Sequence, residues 1–181
     1  MMQVTIYEKN KPLFNSLLTG AFYFFLCWSV DSGDATKGLF VSLMLLLPGL
    51  TFPLTTCYFR GRSHSNSDVR ILLHVVLSVG IYHGSAWLFS GEGQVKYITV
   101  LAGALGSLFF LIITKYLLNK HFSVTQIILT SVVSGLAFLP YELIGQFGAL
   151  MGLAIFLWTL ANGSLLNLAY KKRRHREGRR I

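Results

Sequence analysis

Residues 97–119 read YITVLAGALGSLFFLIITKYLLN, a stretch in which Lys115 is the only charged side chain. Its length matches the ~20 residues that a helix needs to cross a hydrocarbon core about 30 Å thick. A barrel strand would alternate polar and apolar positions, and an open strand would leave backbone groups unpaired in lipid. The stretch therefore reads as a transmembrane α-helix.

The same reading repeats along the chain. Leu13–Val30, Gly38–Phe59, Arg70–Phe89, Ser123–Pro140 and Phe147–Tyr170 share this length and character, so with Tyr97–Asn119 the sequence predicts six spans. Of 181 residues, 53% are hydrophobic and only 13% charged, a composition outside the range of soluble domains. The predicted fold class is all-α: a polytopic membrane protein with one membrane domain, residues 1–181, and six helices in a compact bundle. Leu13–Val30 competes with a signal-peptide reading, but its bulky Phe22-Tyr23-Phe24-Phe25 and the lack of a small-x-small site after it favour an uncleaved first helix.

Charge alternates from link to link. Lys9, Lys11, Arg60, Arg62, Arg70, Lys115, Lys120 and the tail Lys171, Lys172, Arg173, Arg174, Arg176, Arg179 and Arg180 fall on one side. The opposite links hold Lys37 and Lys96 with Asp31, Asp34, Glu92 and Glu142. The positive-inside rule then places both termini in the cytoplasm. Short links with so skewed a charge fit a bacterial cytoplasmic (inner) membrane.

The tail 171–181 begins at the membrane surface, where clustered Lys and Arg bind anionic lipid head groups at about 1 kcal/mol per charge. Lipid contact is the favoured role of Lys171, Lys172, Arg173, Arg174 and Arg176, ahead of docking to a protein partner; nucleic acid is not an expected partner. The only glycosylation triplet, Asn162-Gly163-Ser164, falls inside the sixth span, out of reach of the modifying enzyme.

Lipid gives apolar helices no hydrophobic reason to associate, so small residues and polar contacts must hold a bundle together. Gly80-x-x-x-Gly84, Ala102-x-x-x-Gly106, Ser131-x-x-x-Gly135 and Gly148-x-x-x-Gly152 supply small-residue faces on the third to sixth spans. These serve packing within the bundle or a homo-oligomer or membrane protein partner. Ser16, Thr19, Gly20, Tyr23 and Cys27 recur at helical spacing on the first span, as Gln126, Thr130 and Ser134 do on the fifth; both stripes should face inward. Gly20, Phe24, Gly49, Leu50 and Phe52 are each followed 86 positions later by the same residue type, a faint sign of two inverted three-helix halves.

Ionisable groups within spans are the natural functional candidates. His83 lies deepest, near the middle of the third span, with Trp87 one turn on; His74, nine residues earlier, falls on the opposite helix face. The two cannot share a metal, and no metal or other cofactor is expected. Pro48-Gly49 and Pro53 should kink the second span near its centre, where Thr51, Thr55 and Thr56 carry hydroxyls. Glu142 marks the outer end of the fifth span, either as a solvated carboxylate or as an acidic mouth. Asn162 and Asn167 give the sixth span polar, inward-facing groups. Cys27 and Cys57, at opposite ends of neighbouring spans, are too far apart for a disulfide.

Paired intramembrane carboxylates, His-Glu metal motifs and glycine-rich phosphate loops are all missing from the sequence, so an enzyme is not expected. The leading expectation is a bundle that binds or passes a small solute or ion along Pro48, Thr51, His83, Trp87 and Asn162 with Glu142 at the mouth. The alternative is a membrane interaction protein, such as an assembly subunit or a toxin-immunity or defence component, acting through helix faces and the basic tail.

Overall fold

The computed structural model describes residues 6–31, 49–58, 68–87, 97–145 and 148–178. Among these, every regular element is helical: α1 (Ile6–Lys9), α2 (Lys11–Asp31), α3 (49–56), α4 (Asp68–Trp87), α5 (Ile98–Leu117), α6 (Val124–Leu136), α7 (Leu139–Ile144) and α8 (Gly148–Gly178). Four stretches, Asp68–Trp87, Ile98–Leu117, Val124–Ile144 and Gly148–Lys172, are long and apolar enough to cross a membrane. With α2, itself 21 residues long, they correspond to five of the six expected spans, and α3 lies in the other.

Two element ends differ from the sequence reading. The fifth span does not stop at Pro140, because α7 carries it on to Ile144 after a two-residue break at Ala137 and Phe138. Proline is tolerated there because it stands in the first turn of α7, where a backbone N–H has no intrahelical partner. The sixth helix continues past Tyr170 through Gly178, so the described part of the basic tail is helical. At 1.5 Å per residue α8 is about 46 Å long, well beyond a hydrocarbon core of about 30 Å.

α2 and α8 pack antiparallel. α2 lies along α8 on a glycine seam, with Gly152 against Phe24 and Cys27, Gly20 against Phe156 and Thr159, and Gly163 against Ser16 and Pro12. A Cβ on Gly152 would lie 2.9 Å from the Phe24 carbonyl oxygen, so only glycine lets the backbones come this close. The small-polar stripe of α2 turns inward as its spacing predicts: Ser16, Thr19, Gly20, Tyr23 and Cys27 are all buried.

The other seams repeat the device. A Cβ on Gly49 would lie 2.9 Å from Val79 and Tyr82, and one on Gly135 would lie 2.7 Å from the Val100 carbonyl oxygen. Gly106 meets Ser85, and Gly103 meets Phe138. The inward residues of α6 are Ile127, Ser131, Ser134 and Gly135. Gln126 is not one of them; it closes a capping box with Ser123 at the start of that helix.

The glycines spaced 86 residues apart map onto one another in part. Gly20 packs on the sixth span and Gly106 on the third, as exchange of two halves requires. Gly49 packs on the third span, but its counterpart Gly135 packs on the fourth instead of the sixth.

Candidate functional site

The interior of the bundle centres on Asn162, which is fully buried on α8. Its Oδ1 accepts the Ser107 hydroxyl hydrogen from α5 at 2.8 Å. Its Nδ2 donates to Ser134 Oγ of α6 at 3.1 Å and to the Trp158 carbonyl oxygen at 2.9 Å. One amide thereby holds three helices, with both N–H donors and the carbonyl oxygen engaged. The arrangement follows from helix geometry: Trp158 and Asn162 are one turn apart on α8, facing Gly103 and Ser107 one turn apart on α5. Trp158 Nε1 donates to the Gly103 carbonyl oxygen at 3.1 Å.

Beside this hub the core is aromatic. The rings of Phe52, Phe110 and Trp158 pack together with centroids 5.4 to 6.0 Å apart, all three nearly inaccessible. Phe52 belongs to α3, whose neighbouring hydroxyls bind α2: Thr51 pairs with Tyr23 Oη, and Thr55 Oγ1 lies 3.1 Å from Thr19 Oγ1. Asn15 Nδ2 adds a bond to the Thr55 carbonyl oxygen at 2.7 Å. Polar pairs of this kind, on helices whose outer faces carry Leu, Val and Phe, place hydrogen-bonding groups inside the bundle and apolar groups outside it.

A second buried cluster surrounds His74 of α4, whose side chain is fully inaccessible. The Tyr58 hydroxyl is 2.5 Å from Nδ1, and Thr114 Oγ1 is 2.8 Å from Nε2. Thr114 spends its own hydrogen on the Phe110 carbonyl oxygen at 2.7 Å, so it accepts from the imidazole. Nε2 therefore carries a hydrogen, and in the neutral ring Nδ1 accepts the Tyr58 proton. The His74 ring also packs edge-on against Phe110, 5.7 Å between centroids, which connects it to the aromatic core.

The sequence-predicted site residues are thus not gathered in one place. Asn162 and Thr51 lie inside the bundle, as expected of them. His83 and Trp87 point away from it, on the exposed side of α4 with Gly80 and Gly84. His83 and Trp87 are thus separated from Asn162 and Thr51, and the buried imidazole of α4 is His74. Pro48 lies outside the described residues. Glu142 binds the start of α5, accepting the Tyr97 N–H at 2.8 Å on Oε1 and the Thr99 hydroxyl on Oε2. Lys171 and Lys172 are exposed on the outer turns of α8, and the backbone of Arg173, Arg174 and Arg176 continues that helix.

Tyr58, Ser107 and Thr114 had no distinguishing mark in the sequence, whereas Ser134 belongs to the stripe expected to face inward. A further signal existed for His74, which shares an inward face with Ser78 one turn later, and that face could have been preferred to the deeper but outward His83. Among the described residues no three His, Cys, Asp or Glu side chains group in a manner able to hold a metal ion. Cys27 and Cys57 are both free and buried. Comparison with protein-family models, with curated proteins and with solved structures finds no match to this chain.

Proposed function

We propose that the chain is an integral membrane protein of six spans with both termini in the cytoplasm, and that its interior binds or passes a small polar solute or ion. The observation that carries this reading is the Asn162 hub, a fully buried amide joined to hydroxyls from two other helices. Polar groups at the meeting point of membrane helices form solute and ion sites more often than lipid-facing ones do. Antiparallel packing of α2 with α3, α3 with α4, α4 with α5 and α5 with α6 agrees with alternate crossing. The skewed Lys and Arg distribution supports cytoplasmic termini, the bacterial inner membrane as location, and contact of the basic end of α8 with anionic lipid.

In this closed arrangement Phe52, Phe110 and Trp158 fill the centre, so passage requires these rings to move. Flux into proteoliposomes is the direct test, using a panel of monovalent ions and small neutral solutes. The wild-type chain passes at least one of them, and Asn162→Leu, folded by gel filtration and helical content, does not. Vesicles no more permeable than protein-free ones to every probe would overturn the reading.

The outer side of α4 favours a second reading, a membrane interaction protein. Among the described residues a Cβ on Gly80 or Gly84 meets nothing within 4 Å, although Gly20, Gly49, Gly103, Gly106, Gly135, Gly152 and Gly163 are in close contact. His83 stands between them on the least covered of the four long apolar helices. Under this reading Gly84→Leu and His83→Leu abolish co-purification of a membrane partner or second copy from mild detergent. An unchanged set of co-purifying proteins would exclude it.

A further inference from the structure

The Tyr58, His74 and Thr114 cluster joins three segments through one ring. Tyr58 is at the end of the second span, immediately after Cys57; His74 is on α4; Thr114 is on α5. Both ring nitrogens are taken by hydroxyls; the bond Thr114 makes to Phe110 makes Nε2 a donor, and in the neutral ring Nδ1 accepts from Tyr58. With a neutral ring the Tyr58 hydrogen is bound by Nδ1 at 2.5 Å; with a protonated ring it is left only the Ile71 carbonyl oxygen at 3.5 Å. We propose that His74 is a proton-operated latch: the neutral ring holds the end of the second span onto α4 and α5, and proton uptake releases that end and exposes the Cys57 thiol.

The chemistry follows from the donor count. A proton added at Nδ1 turns the acceptor of the Tyr58 hydrogen into a donor, so the phenol must redirect its hydrogen. The alternative acceptor is the Ile71 carbonyl oxygen, 3.5 Å away, where the present bond to Nδ1 is 2.5 Å. The new charge would be held by hydroxyl oxygens alone. The ionisable groups around this end offer little relief: Tyr58 and Cys57 come from the second span, and Lys120, in the turn after α5, adds a like charge. Asp68 and Arg70, at the start of α4 itself, are exposed. An imidazolium is better solvated once residues 57 and 58 have moved away.

Cys57 reports the event, since it is buried and adjoins Tyr58. Proton uptake by the freed ring draws the equilibrium toward the open form, so the open fraction rises about tenfold between roughly pH 7.5 and 5.5. The test is alkylation of full-length Cys27→Ser protein in detergent by a membrane-permeant maleimide, each rate divided by that of a free thiol peptide at the same pH. The normalised rate at Cys57 rises about tenfold on acidification. It is flat in His74→Gln, and already high at neutral pH in Tyr58→Phe. A flat or falling wild-type rate overturns the latch, as does an equal rise in His74→Gln. Should His74→Gln fail to fold, Tyr58→Phe decides: a rate at neutral pH as low as the parent's overturns it.

Discussion

Ser107 of α5 donates its hydroxyl hydrogen to Asn162 of α8 across 2.8 Å, although 55 positions separate them in the chain. Both side chains are fully buried, and the same amide reaches Ser134 on α6. Interhelical hydrogen bonds in membranes average about 0.6 kcal/mol and reach about 1.7. Asn162→Leu breaks the bonds to both serines and leaves their hydroxyls short of a partner, so it should lower stability by about 1–3 kcal/mol. Ser107→Ala removes one bond and should cost about half as much. Unfolding in mixed micelles with increasing SDS checks both, and equal stability of Asn162→Leu and wild type would show that the hub holds nothing.

The glycines of the α2 and α8 seam and those of the outer α4 face should answer differently to the same methyl group. Alanine at Gly163 puts its Cβ onto the Ser16 side chain, and alanine at Gly152 puts it 2.9 Å from the Phe24 carbonyl oxygen. At Gly152 the obstacle is backbone, and at Gly163 it includes the Ser16 Cβ, held directly by its own backbone; neither yields as the far end of a flexible side chain does, so each change should cost about 1–3 kcal/mol. Gly84→Ala meets open space within the chain and gains helix propensity, so stability should stay level or rise by up to about 1 kcal/mol. Thermal unfolding of the purified protein compares the three; a Gly84→Ala loss as large as that of Gly163→Ala would contradict the packing.

The length and apolarity of the stretches were enough to read the helices, since a lipid-spanning segment has few ways to satisfy its backbone. The period of Ser16, Thr19, Tyr23 and Cys27 also told which side of α2 faces inward. Depth without face misled at His83: its central position in the span says how far it lies from water but not which neighbour it meets, and the α4 side that packs carries His74 and Ser78 instead. The partners of Asn162 and Glu142 were not legible, because residues 28 to 55 positions away are brought to them by helix order alone.

The helical extension of α8 carries a cluster of Lys and Arg beyond the apolar part of the helix. The proposed cytoplasmic location of both termini predicts that a fluorescent reporter that folds only in that compartment should glow when fused after Ile181. A periplasmic alkaline phosphatase at the same place should be inactive, and active when inserted between residues 90 and 91. Replacing Lys171, Lys172, Arg173, Arg174 and Arg176 by Gln should weaken binding of the purified protein to anionic vesicles, each charge being worth about 1 kcal/mol. Active phosphatase after Ile181 would reverse the orientation.

Glu142 tests whether its carboxylate is an anchor or a mouth. It accepts the Tyr97 N–H, and Tyr97 is the residue before α5 with a left-handed φ of 67°, a conformation a bulky side chain rarely adopts. The carboxylate thus does from α7 what an N-cap side chain does from within its own helix, where no side-chain cap is present. Glu142→Ala should destabilise by about 1 kcal/mol, the cost of losing a helix cap. Glu142→Gln keeps one oxygen to accept a hydrogen bond but loses the charge, and so should recover about half of that in thermal unfolding. If the charge instead draws cations to the bundle, Glu142→Gln keeps its stability and loses cation flux in proteoliposomes. A variant with normal flux and a lowered unfolding temperature assigns Glu142 to holding α5 alone.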